Sequence, residues 1–189
     1  MKVLLGVDGE EAADHARRLV ARFASRDAVE VVVCAVATFD MALREASYSG
    51  HYAAEDAGRA AETIAGEAEE ELREDGFRTG VTTPRGDPAA ELLREAAARH
   101  SDLIVLGTGR ESRLESIVLG STSSAVLQAA PCPVLIVHEL HEHDGRARAL
   151  VATDGSEDAL RAADVFIAFA DPDRCEATVA AIARPVGLP

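Results

Sequence analysis

Apolar and polar positions along this 189-residue chain keep two rhythms that take turns. Short unbroken apolar runs such as Val3-Leu4-Leu5, Val31-Val32-Val33 and Leu103-Ile104-Val105-Leu106 lack the in-and-out alternation of a half-exposed strand. Such runs suit strands covered on both faces, as in a parallel sheet. They predict strands over residues 2–8, 30–37, 79–84, 103–107 and 134–137. Between them the apolar positions recur at i, i+3 and i+4, the period of a helix with one buried face. Ala12, Ala13, Ala16, Leu19, Val20 and Phe23 mark the first helix. Ala54, Ala57, Ala61, Ile64, Ala68 and Leu72 mark a second over residues 53–75, which Gly76 closes as a C-cap glycine. The third opens at Asp87-Pro88, an aspartate able to cap and a proline at the first helical position. The fourth starts at Ser121 and stops before Pro131. Residues 39–52 have no period and are expected to be a loop over the carboxyl edge of the sheet. Strands alternating with helices predict an α/β three-layer sandwich around a five-stranded parallel sheet.

The pattern then begins again. Beyond a polar stretch rich in His and Glu, a shift of 146 residues without a gap aligns Leu4 with Leu150, Asp8-Gly9 with Asp154-Gly155, Glu11 with Glu157, Phe23 with Phe169, Asp27 with Asp173 and Glu30 with Glu176. Of the 34 pairs from Leu4 to Ala37, 13 are identical, which reads as an internal duplication. The expected organisation is a whole domain at 1–138, a polar linker at 139–147 and a partial second domain, strand–helix–strand, at 148–189. A unit that small cannot cover both faces of its own sheet. It is therefore expected to pack on the first domain or on a second chain.

Composition narrows the partners. A formal net charge of −14 opposes nucleic acid and anionic membranes, whose phosphates would be repelled. Cys34, Cys132 and Cys175 form no C-x-x-C pair, which excludes a disulfide framework or zinc ribbon and fits a reducing cytoplasm. Residues 116–138 are uncharged, but Ser121 to Ser124, Gln128, Pro131 and Pro133 interrupt them. A helix followed by a strand is expected there, not membrane insertion.

The candidate chemistry lies in Gly107-Thr108-Gly109-Arg110 and Gly120-Ser121, between an apolar run and a helix. Glycine after a strand lets a backbone approach a ligand closely, and a helix start offers unpaired N–H groups to an anion. The spacing is neither a Walker loop, for which the sole lysine, Lys2, is misplaced, nor a dinucleotide-binding G-x-G-x-x-G. The same residues also suit a tight turn and a helix cap. Asp8 caps the first helix or faces a ligand; Arg110 and Arg113 neutralise phosphate or are ordinary surface charges. His138, His141 and His143 lie among carboxylates, but a charged linker has the same letters, so no metal site is assigned. Ser121 is not in a G-x-S-x-G elbow, and no catalytic residue is assigned.

Asp8-Gly9, Gly86-Asp87-Pro88, the run from Asp102 to Gly107, Gly120-Ser121 and the run from Ala130 to Val137 together resemble the universal stress protein family, with the opening of a second such domain at the C-terminus. The resemblance implies the adenine nucleotide alpha-hydrolase-like sandwich, usually dimerised through its last strand, with ATP bound in some members. Gly107, Gly120 and Ser121 match the family's phosphate motif; Arg110 stands where its middle glycine belongs, and Gly109 sits one place early. By the same resemblance Asp8 lies near ribose and metal, the Val36 backbone reads adenine, and the amides of Gly109 and Gly120 to Thr122 meet phosphate. Glu10 replaces a common serine. The implied function is a cytoplasmic homodimer that binds ATP or another adenine nucleotide as a regulatory ligand, with Mg²⁺ reached through Asp8 and at most slow hydrolysis. The alternative is a family member without nucleotide, an interaction module working through the last strand or the C-terminal unit.

Overall fold

The computed structural model describes residues 1–38, 53–108, 119–140 and 145–181. Its first part is the expected α/β sandwich: β1 (Lys2–Gly6), α1 (Glu11–Phe23), β2 (Glu30–Cys34), α2 (Ala53–Glu74), β3 (Arg78–Thr82), α3 (Pro88–Arg99), β4 (Leu103–Gly107), α4 (Ser121–Ala129) and β5 (Val134–Val137). The strands pair in parallel in the order β3-β2-β1-β4-β5. Strand alternation splits the core in two. Val3, Leu5, Val31, Val33 and Val105 face α1 and α2, whereas Leu4, Ile104 and Leu106 face Leu92, Ala96 and Val126 of α3 and α4. β1, β2 and β4 are therefore covered on both sides, which is why their runs show no alternation in the sequence, whereas the edge strand β3 is only half-buried and leaves Val81 exposed.

Three boundaries differ from the sequence pattern. β1 stops at Gly6, two residues early, and β2 stops at Cys34, three early, because the strands part where the sheet opens at its carboxyl edge. β3 is displaced to Arg78–Thr82. Gly76, at φ +91°, has the left-handed conformation expected after α2. His100, the C-cap of α3, adopts φ 52°, which its side-chain chemistry did not announce. The stretch 39–52 lies outside the described residues.

Beyond residue 145, β6 (Ala147–Thr153), α5 (Glu157–Phe169) and β7 (Cys175–Ala181) form a second, two-stranded parallel sheet with one helix. The unit docks on the first domain. Phe169 is buried in the α1/α2 core cluster and Val165 packs against it. At the junction the Ser25 amide donates to the Phe169 carbonyl and the Asp171 amide to the Phe23 carbonyl, both at 2.8 Å, around an antiparallel bridge of Ala24 with Ala170. Residues 23, 24 and 25 are the partners of 169, 170 and 171 under the 146-residue shift. The contact is thus reciprocal about a local two-fold.

Candidate functional site

In the order β3-β2-β1-β4-β5 the connections leaving β1 and β4 run to opposite faces of the sheet, and a crevice opens between them at the carboxyl edge. A cleft of about 690 Å³ lies there. Asp8 and Glu10 come to it from the turn after β1, Cys34 and Val36 from β2, Asp87 and Leu92 from the start of α3, and Gly107 with Gly120 to Ser123 from β4 and α4. The structure therefore gathers Asp8, Val36, Gly107, Gly120, Ser121 and Thr122 at one place. Gly109, Arg110, Arg113, His51, His141 and His143 lie outside the described residues.

The turn after β1 is built by its own residues. Asp8 Oδ1 accepts the Glu10 amide at 3.0 Å, and Gly9 takes φ +77°, a conformation that favours glycine. Asp8 therefore braces the turn rather than capping α1. The N-cap is Glu10, whose side chain makes no capping bond.

At the end of β2, peptide direction decides what the cleft sees. Ala35 and Ala37 donate toward β3, to the carbonyls of Thr82 and Pro84. Cys34 points the other way and accepts the Val7 amide at 2.9 Å. Alternation aims Val36 to the same side as Cys34, where β1 has already turned off. Among the described residues neither the N–H nor the C=O of Val36 has a hydrogen-bond partner. A buried residue thus presents an adjacent donor and acceptor to a cavity, against the general rule that such groups are paired.

Gly107 is a glycine for a packing reason. A Cβ there would come within 2.3 Å of the Ala12 carbonyl oxygen, so α1 crosses β4 only over a bare backbone. Ser123, which the sequence did not single out, is buried and donates through Oγ to the Gly107 carbonyl at 2.8 Å, tying α4 to β4. Gly120 is the N-cap of α4, and its own amide donates to the Thr108 carbonyl at 2.9 Å. It is not available to an anion. The amides of Ser121, Thr122 and Ser123 have no partner among the described residues, as expected for the first turn of a helix.

Electrostatically the cleft is acidic: Asp8, Glu10 and Asp87 contribute carboxylates, and its described lining contains no cationic side chain. Asp87 is committed to accepting the Ala90 amide at 2.9 Å as the cap of α3. Burial, then the nearby Glu95 carboxylate, pushes the Cys34 thiol up to about 12, so it stays protonated and unreactive. Among the described residues no group of three or more His, Cys, Asp or Glu could hold a metal ion. His138 instead meets Thr108 Oγ1 through Nδ1 at 3.2 Å. No described helix is long and apolar enough to cross a membrane.

Residues 1–138 match the model of the universal stress protein family. Universal stress protein YxiE of Bacillus subtilis is 40% identical over 70 residues, 37% of this chain and 47% of that protein. A universal stress protein of Mycolicibacterium smegmatis is 30% identical over 160 residues, 82% of this chain and 54% of the relative. The chain spans about half the length of these two relatives. Among solved structures, a universal stress protein from Archaeoglobus fulgidus aligns with a TM-score of 0.66 at 23% identity, covering 88% of this chain and 61% of that one. A family protein from Arabidopsis thaliana with AMP bound aligns at 0.51 and 17% identity, covering 74% of this chain and 92% of that one. A universal stress protein in complex with cAMP aligns at 0.51 and 21% identity, covering 73% and 96% respectively. At these identities the three structures share the fold.

Proposed function

We propose, for a chain that belongs to the universal stress protein family, that the cleft between β1 and β4 binds an adenine nucleotide as a regulatory ligand. The observation that carries this reading is the Val36 peptide, which has no hydrogen-bond partner among the described residues. Its carbonyl complements the N6 donor of adenine and its N–H the N1 acceptor, a pairing guanine does not offer. Asp8, at the mouth of the cleft, is the partner for ribose hydroxyls. The amides of Ser121 and Thr122 receive a phosphate at the positive end of α4, with Gly109 of the preceding loop as a further contributor. That solved family members were obtained with AMP and with cAMP supports the ligand class.

The residues fit Mg²⁺ only as a companion of bound ATP, with Asp8 the group that would face it. The cation would supply charge neutralisation between phosphates. In this reading the ligand acts as a signal rather than as a substrate. Equilibrium dialysis with labelled adenosine, AMP, cyclic AMP and Mg-ATP tests the reading, repeated on Gly120→Val. Saturable binding of an adenine ligand, weakened in the variant and absent for guanosine, is expected. Absence of binding for every adenine ligand at both low and high salt would leave the family's fold without this ligand.

The C-terminal unit is, in the same reading, the opening of a second domain of this kind. The gapless 146-residue match and the reciprocal hydrogen bonds at Ala24 and Ala170 support it. β5 is an edge strand, and β6–β7 exposes Leu150 and Val179. Homodimerisation is proposed through one of these two surfaces, and sedimentation equilibrium of the full chain tests it. A second reading, an interaction module without nucleotide, draws on the same exposed residues.

A further inference from the structure

We propose that a second copy of this chain covers the C-terminal unit: the open edge of β7 pairs with its counterpart, and α5 packs antiparallel on its counterpart, across a two-fold axis. The inference rests on the homodimer proposed above and names the surface through which it forms.

Under the 146-residue shift, the flank of α1 that α2 covers matches a flank of α5 that stands exposed. In the first unit Arg17 bonds Asp14 and, at 2.7 Å, Glu71 of α2, while Val33 lies in the core with Ala57 and Ala61 of α2. The second unit has Leu160 for Asp14, Ala163 for Arg17, Ile167 for Ala21 and Val179 for Val33. Both charges have given way to apolar side chains, on a surface where Leu160 is 55%, Ile167 72% and Val179 69% exposed. A helix flank left to water keeps its charges; an apolar stripe belongs to a covered one.

The strand edge beside this flank is open too. Among the described residues β7 pairs with β6 alone, and its seven residues include no proline and one charge, Glu176. Such an edge is a template for another strand. Beyond β2, Ala35 and Ala37 donate outward, to carbonyls that follow β3 or end it. By the same alternation Ala177 and Val179 turn their N–H groups away from β6. An antiparallel pairing centred on Thr178 sets Ala177 opposite the partner's Val179. It also sets each Glu176 opposite an alanine, so the two carboxylates do not face each other.

Width and charge both fit a second copy. Two strands span roughly 9–10 Å, which is the spacing of two packed helices, so α5 and its counterpart lie side by side on one face of the joined sheet. Run antiparallel, Leu160 meets the partner's Ile167, with the small Ala163 at the centre. On the solvent side Arg161 comes beside the partner's Asp164, and the axis repeats the pair. Both side chains are exposed, and neither is in an ion pair among the described residues.

Sedimentation equilibrium of the full chain and its variants tests the surface. A wild-type dimer is expected. Ile167→Glu and Ala177→Pro are each expected to weaken association about tenfold or more, the second because it removes an outward amide that β6 does not use. Arg161→Asp and Asp164→Arg are each expected to weaken it about threefold, and the double variant to restore it. Damage to the unit would not be repaired by exchanging the two charges, so restoration separates contact from misfolding. A dimer unmoved by Ile167→Glu, or a double variant no tighter than either single one, overturns this surface and leaves the homodimer to another. A wild-type chain that stays monomeric overturns both the surface and the homodimer.

Discussion

Leu4 and Leu150 occupy matching places in two strand–helix–strand units, yet Leu4 is fully buried and Leu150 is 70% exposed. Val33 and Val179 repeat the contrast, at 0% and 69%. The two units are locally alike. Gly9 and Gly155 follow an aspartate with φ +77° and +83°, and each aspartate accepts the amide two residues on at 3.0 Å. Each helix has 13 residues and ends at an alanine whose amide reaches back four residues. What differs is the company. β1 lies between β2 and β4 with helices on both faces, while among the described residues β6 pairs with β7 alone and packs under α5. Turn geometry and helix ends are decided within a few residues; burial is conferred by segments far away in the chain.

The comparison can be broken at several points. The largest contrast is chemical. With its thiol near 12, Cys34 should carry about a thousandfold less thiolate at pH 8 than an unperturbed cysteine, since each pH unit is tenfold. Burial also raises Cys175, in the second unit, but it is only partly buried. Mass-spectrometric alkylation kinetics on the native chain should show Cys175 labelled far ahead of Cys34; equal rates would mean the first unit opens as readily as the second. The same shift has a stability consequence. Above the ordinary thiol value of 9.0 the unfolded chain loses the Cys34 proton while the fold retains it, so stability falls as pH rises from 9 toward 12. Denaturant titrations at pH 8 and pH 10.5 should show this loss, reduced in Cys34→Ala.

Next comes packing. Leu4→Ala should cost about 3 kcal/mol by lost burial and a cavity, against within about 0.5 kcal/mol for Leu150→Ala. Urea midpoints of the two variants measure the difference, and comparable losses would show that Leu150 is covered in solution. Phe169→Ala removes the one large buried side chain with which, among the described residues, the second unit enters the core of the first. A local cost of about 3 kcal/mol is expected, read as faster amide exchange across residues 147–181 with residues 1–38 little changed. The smallest effect concerns the helix starts. Ser156→Ala should cost about 1 kcal/mol in α5 as its cap is lost, whereas Glu10→Ala forfeits no capping bond in α1. Amide exchange in the first turns distinguishes them.

Much of the architecture is legible in residue order. Four helices and five strands follow from apolar periodicity, and the start of α3 at Asp87-Pro88 follows from cap chemistry, whereas α4 starts at Ser121 with Gly120 as its N-cap and no side-chain capping bond. The cleft is only partly legible. Asp8, Gly107 and Ser121 stand out as residue types after strands, but Ser123 is one serine among several until the fold brings Gly107 beside it. Gly107 looks like a ligand glycine, whereas its absent side chain first of all makes room for the Ala12 carbonyl. Gly120 looks like an amide donor to phosphate, whereas Thr108 takes that amide.

Residue order by itself determined the alternation of strands and helices, the aspartate-glycine turns and the helix ends, because each is fixed by torsions and hydrogen bonds spanning a handful of residues. Tertiary structure decided which of two matching leucines is buried, and which peptide beyond β2 and which amides at α4 have no partner among the described residues. Those outcomes depend on where β1 turns away from β2 and on how α1 crosses β4, contacts between segments tens of residues apart that no local pattern encodes.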